Sequence, residues 1–302
     1  MQKLFSTILL TMLVFHAALH SQPYTGNDFH YQGQVLESLR MNSELGDRDI
    51  GYSIYLPPGY AESNRDYPVL YLLHGYSDNE TAWVQFGEVN ATADRAIASR
   101  EIPPMIIVMP DAGISFYINA ADGSDPMEDI MIREFIPFID KTYRTRTERE
   151  FRAVSGLSMG GYGALIWSLR NPDMFSSCAA FSAAVYTDEQ IKQMPEDRFN
   201  NFIKRLYGTG ENNARISNHW LEHSVINLVN TLPQEEIKKV RFYIDNGDDD
   251  FLFEGNALLH IAMRKQGIPH EFRIRDGAHN WTYWRNHIIH GLRFVGEGFH
   301  RR

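Results

Sequence analysis

From Tyr67 onward, short apolar runs alternate with stretches of helical periodicity. This rhythm restricts the chain to an α/β fold, with helices on both faces of a mostly parallel sheet. The strand candidates are Val69–Leu73, Met105–Met109, Phe151–Ser155, Ser177–Phe181, Val240–Asp245 and Glu271–Arg275. Several are apolar at successive positions, as strands covered on both faces require. Upstream, Gln34–Met41 and Asp49–Tyr55 alternate and are joined by the polar turn Asn42-Ser43-Glu44-Leu45-Gly46-Asp47. That pattern predicts an antiparallel hairpin at the sheet edge and brings the expected strand count to eight.

At 302 residues and 43% hydrophobic content, the chain is long enough to bury one full core and needs no second domain. Asp125 and Pro126 read as the cap and first turn of a helix whose stripe is Met127, Ile130, Met131, Phe135, Phe138 and Ile139. A second helix, from about Asn256 to Gln266, is expected to stop at Gly267. The segment 187–239 is the largest break in the rhythm. Opened by the capping box Thr187-Asp188-Glu189-Gln190, it is a candidate helical cap over the site.

The chain starts Met1-Gln2-Lys3 and continues with an apolar run from Leu4 to Leu19, interrupted by Ser6, Thr7, Thr11 and His16. This reads as a signal peptide over 1–21, leaving a single mature domain at 22–302 that is exported to a bacterial periplasm or exterior. The run falls short of the roughly 20 predominantly apolar residues of a spanning helix, so no stable membrane insertion is expected after its removal. Cys178 is the single cysteine, which excludes an intrachain disulfide. The net charge of -9, without clustered Lys and Arg, argues against nucleic acid as a partner.

The strand Phe151–Ser155 runs directly into Gly156-Leu157-Ser158-Met159-Gly160-Gly161 and then into a helical pattern ending at Asn171-Pro172. Strand, sharp turn and helix are the context that a G-x-S-x-G nucleophile elbow of the α/β-hydrolase fold demands, with Ser158 as nucleophile. A serine hydroxyl needs a base to take its proton and a carboxylate to orient that base. His279, in Asp276-Gly277-Ala278-His279-Asn280-Trp281 just past the last strand, is in the right place and order for the base. For the acid, the strand ending at Asp245 is followed by Asp248, Asp249 and Asp250. Position and the following Phe251-Leu252 favour Asp250, held against the core while its neighbours face water, with Asp248 and Asp249 as rivals. Two backbone N–H groups must also face the developing oxyanion, and Met159 and Tyr76, the latter after His74-Gly75, are the candidates. His74 itself reads as structural.

His219-Trp220-Leu221-Glu222-His223 matches the zinc pattern H-x-x-E-H, but no third ligand is evident and the serine constellation is complete without it. Neither metal nor cofactor is expected. Trp83, Phe116, Tyr117 and Trp281 follow strand ends and are candidates for a flat aromatic slot, although core packing competes for each of them.

The signatures Tyr71-Leu72-Leu73-His74-Gly75, Met109-Pro110-Asp111, Gly156–Gly161, Asp250-Phe251-Leu252 with Asn256, and Gly277–Trp281 with Tyr283-Trp284 resemble those of the putative-esterase family. The family includes feruloyl and acetyl-xylan esterases, S-formylglutathione hydrolases and mycolyltransferases, and the resemblance covers Gly51 to Phe294. It implies Ser158 as nucleophile, Asp250 as acid and His279 as base, with Tyr76 and Met159 as oxyanion donors. The substrate it implies is an acylated plant polysaccharide, with feruloyl esters ahead of acetyl esters. An acyltransferase acting on a sugar hydroxyl would share all these residues. A catalytically silent carbohydrate-binding scaffold would have no use for them.

Overall fold

The computed structural model describes residues 32–300; the expected signal peptide lies outside them. Its strands are β1 Gln34–Ser43, β2 Arg48–Leu56, β3 Val69–Leu73, β4 Ile106–Pro110, β5 Arg152–Leu157, β6 Ser177–Phe181, β7 Arg241–Gly247 and β8 His270–Arg275. They form one eight-stranded sheet in the order β1-β2-β4-β3-β5-β6-β7-β8. β2 runs antiparallel to β1 and β4, and every other pairing is parallel. Each expected strand is present, two with the same bounds and the rest with ends displaced by at most two residues.

The apolar strands supply two cores because successive side chains point to opposite faces. Val69, Tyr71 and Leu73 join Phe135, Leu165 and Leu259 on one face. Leu70 and Leu72 join Ala93, Leu292 and Val295 on the other. The helices Met159–Arg170 and Phe253–Lys265 cover the first face, and Val89–Ala98 and Trp281–His300 the second. The last of these buries Trp284, Ile288, Leu292, Val295 and Phe299, a stripe at helical spacing.

Helix ends follow the sequence in two places and depart from it in a third. Thr187 Oγ1 accepts from the Gln190 N–H (3.1 Å) while Gln190 Oε1 accepts from the Thr187 N–H (2.9 Å), so the capping box is complete. Gly267 takes the left-handed conformation (φ 66°), and the Ile268 N–H closes onto Met263 O at 2.9 Å. Asp125, in contrast, caps nothing. Its Oδ1 accepts from Arg48 Nη2 at 2.8 Å, a charged donor that outcompetes a helix N–H, and Pro126 takes the cap position. The expected stripe on this helix is buried at Met127, Ile130, Met131, Phe135 and Ile139, with Phe138 packed against it half-buried. Its middle, Ile130–Phe135, is π-wound. Pro137 lies two residues beyond and supplies no N–H, which the wide turn accommodates.

The segment 187–239 adds short helices, among them Asp188–Gln193, Asn218–His223 and Val225–Thr231, and contributes no strand to the sheet. It is anchored to the first core through Ile191, Phe199, Trp220 and Val225. Among the described residues, no helix is long and apolar enough to cross a membrane.

Both outer strands carry irregular or charged features. β1 has a register shift between Leu36 and Leu39, where Ser38 adopts φ 55°. β8 reads His270-Glu271-Phe272-Arg273-Ile274-Arg275, with Arg273 Nη2 2.6 Å from Glu271 Oε2.

Cys178 lies fully buried on β6, and burial pushes its thiol up to about 12. The reactive thiolate is therefore scarce at pH 8. Iodoacetamide should leave the native protein unmodified at that pH and alkylate Cys178 only after denaturation; a mass shift of the native protein would contradict this.

Candidate active site

The parallel strands bring their carboxyl ends to one edge of the sheet, where ligands of open α/β folds bind. Ser158 follows β5 there and begins the helix Met159–Arg170, with φ 53° and ψ -116°, a conformation non-glycine residues rarely hold. Its peptide groups are pinned: the Ser158 N–H donates to Phe181 O (2.9 Å), and Ser158 O accepts from Tyr162 N (3.0 Å) and Ala184 N (2.9 Å). The flanking glycines are steric requirements. A Cβ on Gly156 would lie 2.4 Å from Gly160 O, and one on Gly160 would lie 2.4 Å from Leu73 O.

The structure brings together Ser158, Asp250 and His279. His279 Nε2 is 2.9 Å from Ser158 Oγ. On the other side of the ring, Nδ1 lies 3.0 and 2.9 Å from the two Asp250 oxygens. Asp250 is fully buried, and its Oδ1 also accepts from the Leu252 N–H at 2.8 Å. Asp248 and Asp249 are exposed. The carboxylate leaves Nδ1 as a donor and turns the Nε2 lone pair toward the serine. Of the residues expected to hold Asp250 inward, Leu252 is buried but Phe251 is 67% exposed, its ring 4.5 Å from that of His279.

Met159 opens its helix, so its N–H has no carbonyl a turn earlier to bond. The His74–Tyr76 backbone runs alongside the serine: a Cβ on Gly75 would lie 3.8 Å from Ser158 Cβ. His74 is a scaffold residue, as expected. Its Nδ1 donates to Gly75 O (2.7 Å) and its Nε2 accepts from the Ala112 N–H (3.0 Å), fixing the turn.

Ser158 and His279 open into a cavity of about 660 Å³. Of the four slot candidates, Phe116 and Trp281 are in its walls, together with Phe202, Phe251 and Trp284. Phe202 packs 4.9 Å from Phe116 and 5.4 Å from Tyr76, tying the segment 187–239 to the site. Arg198 and Asn201 of the same segment reach the cavity. In the sequence these residues look like any short helix, and nothing marks them as lining.

Trp83 and Tyr117 do not line it. Trp83 is buried behind Trp281, and its Nε1 donates to Leu73 O (2.9 Å). The buried Tyr117 hydroxyl accepts from the His74 N–H (2.8 Å) and donates to His74 O (3.2 Å). Both rings have a polar handle that finds its partner at the end of β3, which draws them into the core.

His219, Glu222 and His223 do converge, their ligating atoms within 4.8 Å of one another. One nitrogen of each ring faces a backbone carbonyl: His219 Nε2 lies 2.8 Å from Asn119 O and His223 Nδ1 2.8 Å from His219 O. His223 Nε2 faces Glu128, 3.5 Å away.

The family described as "Putative esterase" matches residues 43–295. The chain belongs to this family. Over 147 residues it is 37% identical to an endo-1,4-beta-xylanase/feruloyl esterase of Xylanibacter ruminicola, a stretch covering 46% of this chain and 20% of that protein. It is 27% identical over 233 residues to an acetyl esterase of Caldicellulosiruptor saccharolyticus, covering 76% of this chain and 83% of that protein. Among solved structures, a ferulic acid esterase superposes with TM-score 0.78 at 33% identity, covering 89% of this chain and 99% of that one. The eight-stranded architecture is thus that of the α/β-hydrolase fold, and the esterase reading of the serine constellation agrees with the family.

Proposed function

We propose that this esterase hydrolyses feruloyl esters of xylan through a covalent acyl-enzyme on Ser158. The observation that carries this reading is the hydrogen-bonded line Asp250, His279, Ser158 opening into a cavity walled by Phe116, Phe202, Phe251 and Trp281. A planar hydroxycinnamoyl group suits such walls, because ring stacking adds to area burial. Names of relatives support it: one is a xylanase/feruloyl esterase and one a ferulic acid esterase.

In the proposed reaction, His279 Nε2 takes the proton of Ser158 Oγ as the oxygen attacks the ester carbonyl carbon. The oxyanion accepts hydrogen bonds from the Tyr76 and Met159 N–H groups, each donor worth about 3 kcal/mol of barrier. The C–O bond to the sugar breaks, and His279 Nε2–H protonates the departing alkoxide. Water, activated by the same nitrogen, then releases the acid and restores Ser158. Asp250 orients the ring and stabilises the imidazolium throughout. The segment 187–239 acts as a fixed wall of the acyl site, and export would bring the enzyme to its polysaccharide.

A substrate panel tests this reading. Ferulate release from feruloylated arabinoxylan fragments should exceed acetate release from acetylated xylan by on the order of tenfold in kcat/KM. The opposite order would favour a second reading, an acetyl esterase, which the long match to the acetyl esterase supports.

A further inference from the structure

Asp245 on β7 is a fully buried carboxylate that the proposed mechanism does not use. Its Oδ2 accepts from the Tyr243 hydroxyl (2.5 Å) and from Arg275 Nε (2.9 Å), and its Oδ1 accepts from the Tyr283 hydroxyl. Arg275 Nη2 also donates to the Tyr243 hydroxyl at 3.2 Å. Arg275 is the last residue of β8, and Tyr283 lies in the first turn of the helix Trp281–His300. The loop between them carries His279, four residues from each anchor. One carboxylate therefore grips both ends of the loop that holds the base.

The rest of the loop is clipped to the same place. The Gly277 N–H donates to Asp248 Oδ1 (3.0 Å), and Gly277 O accepts from the Asp249 N–H (3.0 Å). Gly277 sits at φ 141° against the Tyr283 ring, where a Cβ would lie 2.6 Å from Cδ2. Burial first, and then the Asp245 carboxylate, hold the Tyr283 phenol well above its ordinary value, so it remains a donor across the working range.

We propose that Asp245 is a positioning residue for His279, fixing the base against Ser158 by tethering its loop at Arg275 and at Tyr283. The inference rests on the serine-esterase reading above. Its physical basis is that a displacement of about 1 Å at a catalytic group can cost on the order of 100-fold in rate. An ion pair placed for general stability would not need donors on both flanks of one loop.

The test uses variants that cut one tether each, since Asp245→Asn leaves Arg275 without its partner and endangers folding. Tyr283→Phe removes a single oxygen. With sites counted by the acyl burst on an aryl acetate, its kcat per titrated site on methyl ferulate should fall about tenfold, with KM within about twofold of the parent. Arg275→Lys, which keeps the charge, should retain more of kcat than Arg275→Gln. A residue that serves stability alone would lower the melting temperature and the number of titrated sites but leave kcat per site unchanged. Tyr283→Phe and Arg275→Gln both within about twofold of the parent kcat per site would overturn the proposal. If the parent itself showed no Ser158-dependent burst, the esterase reading would fall together with it, so the two failures are distinguishable.

Discussion

Ser158→Ala is expected to lower kcat/KM for methyl ferulate by on the order of 10⁵-fold or more while leaving the fold intact. The hydroxyl is the single atom group lost, and a side chain remains at the elbow, so the pinning of this peptide by Phe181 O, Tyr162 N and Ala184 N persists. What disappears is the bond-forming oxygen. His279 then faces a methyl group and has no proton to accept. Far-UV circular dichroism and the melting temperature should match the parent, and steady-state hydrolysis of methyl ferulate measures the loss. Activity within about tenfold of the parent would remove Ser158 from the reaction.

The second large effect separates the acids. Asp250→Asn should cost about 10⁴-fold in kcat, the scale expected when the base is held in the wrong tautomer. Asp250 serves two donors, the Leu252 N–H and His279 Nδ1. An asparagine has one oxygen to offer. If it stays with Leu252, its NH₂ faces Nδ1, and the ring proton must move to Nε2, where it points at the serine instead of leaving a lone pair there. Asp248→Asn should cost only a few-fold, about 1 kcal/mol at most, because an amide oxygen still accepts from the Gly277 N–H. The reverse ranking in kcat would relocate the acid.

Elements whose cause lies within a dozen residues are readable without coordinates. β3 to β6 are buried throughout and mostly apolar because both faces are covered, and the capping box and Gly267 act through neighbours three or four positions away. The elbow is legible for the same reason, since its glycines are demanded by the turn itself.

What the sequence hides depends on partners far along the chain. Asp125 looks like a cap until Arg48, remote in sequence, claims it. Tyr117 looks like a slot residue until the end of β3, 43 positions earlier, offers its hydroxyl hydrogen-bond partners. Asp245 shows in the sequence only as the last residue of a strand, because its partners Arg275 and Tyr283 lie 30 and 38 positions away. Phe202 and Arg198 become cavity walls only because a separate segment folds against the strand ends. Spacing could place Ser158 and His279 in order, but it could not say which aromatic rings would meet the substrate.

The two outer strands have a bearing on how the enzyme behaves in concentrated solution. Among the described residues, the eight-stranded sheet ends in two outer rows of backbone donors and acceptors, and either could template another chain. On one side, the bulge at Ser38 bends β1 out of the straight register such pairing needs. On the other, the exposed ion pair of Glu271 and Arg273 sits on β8, so an added strand would have to desolvate charge there. Both borders are thus guarded against fibril-like growth, a protection that matters for a chain with no disulfide to keep it closed.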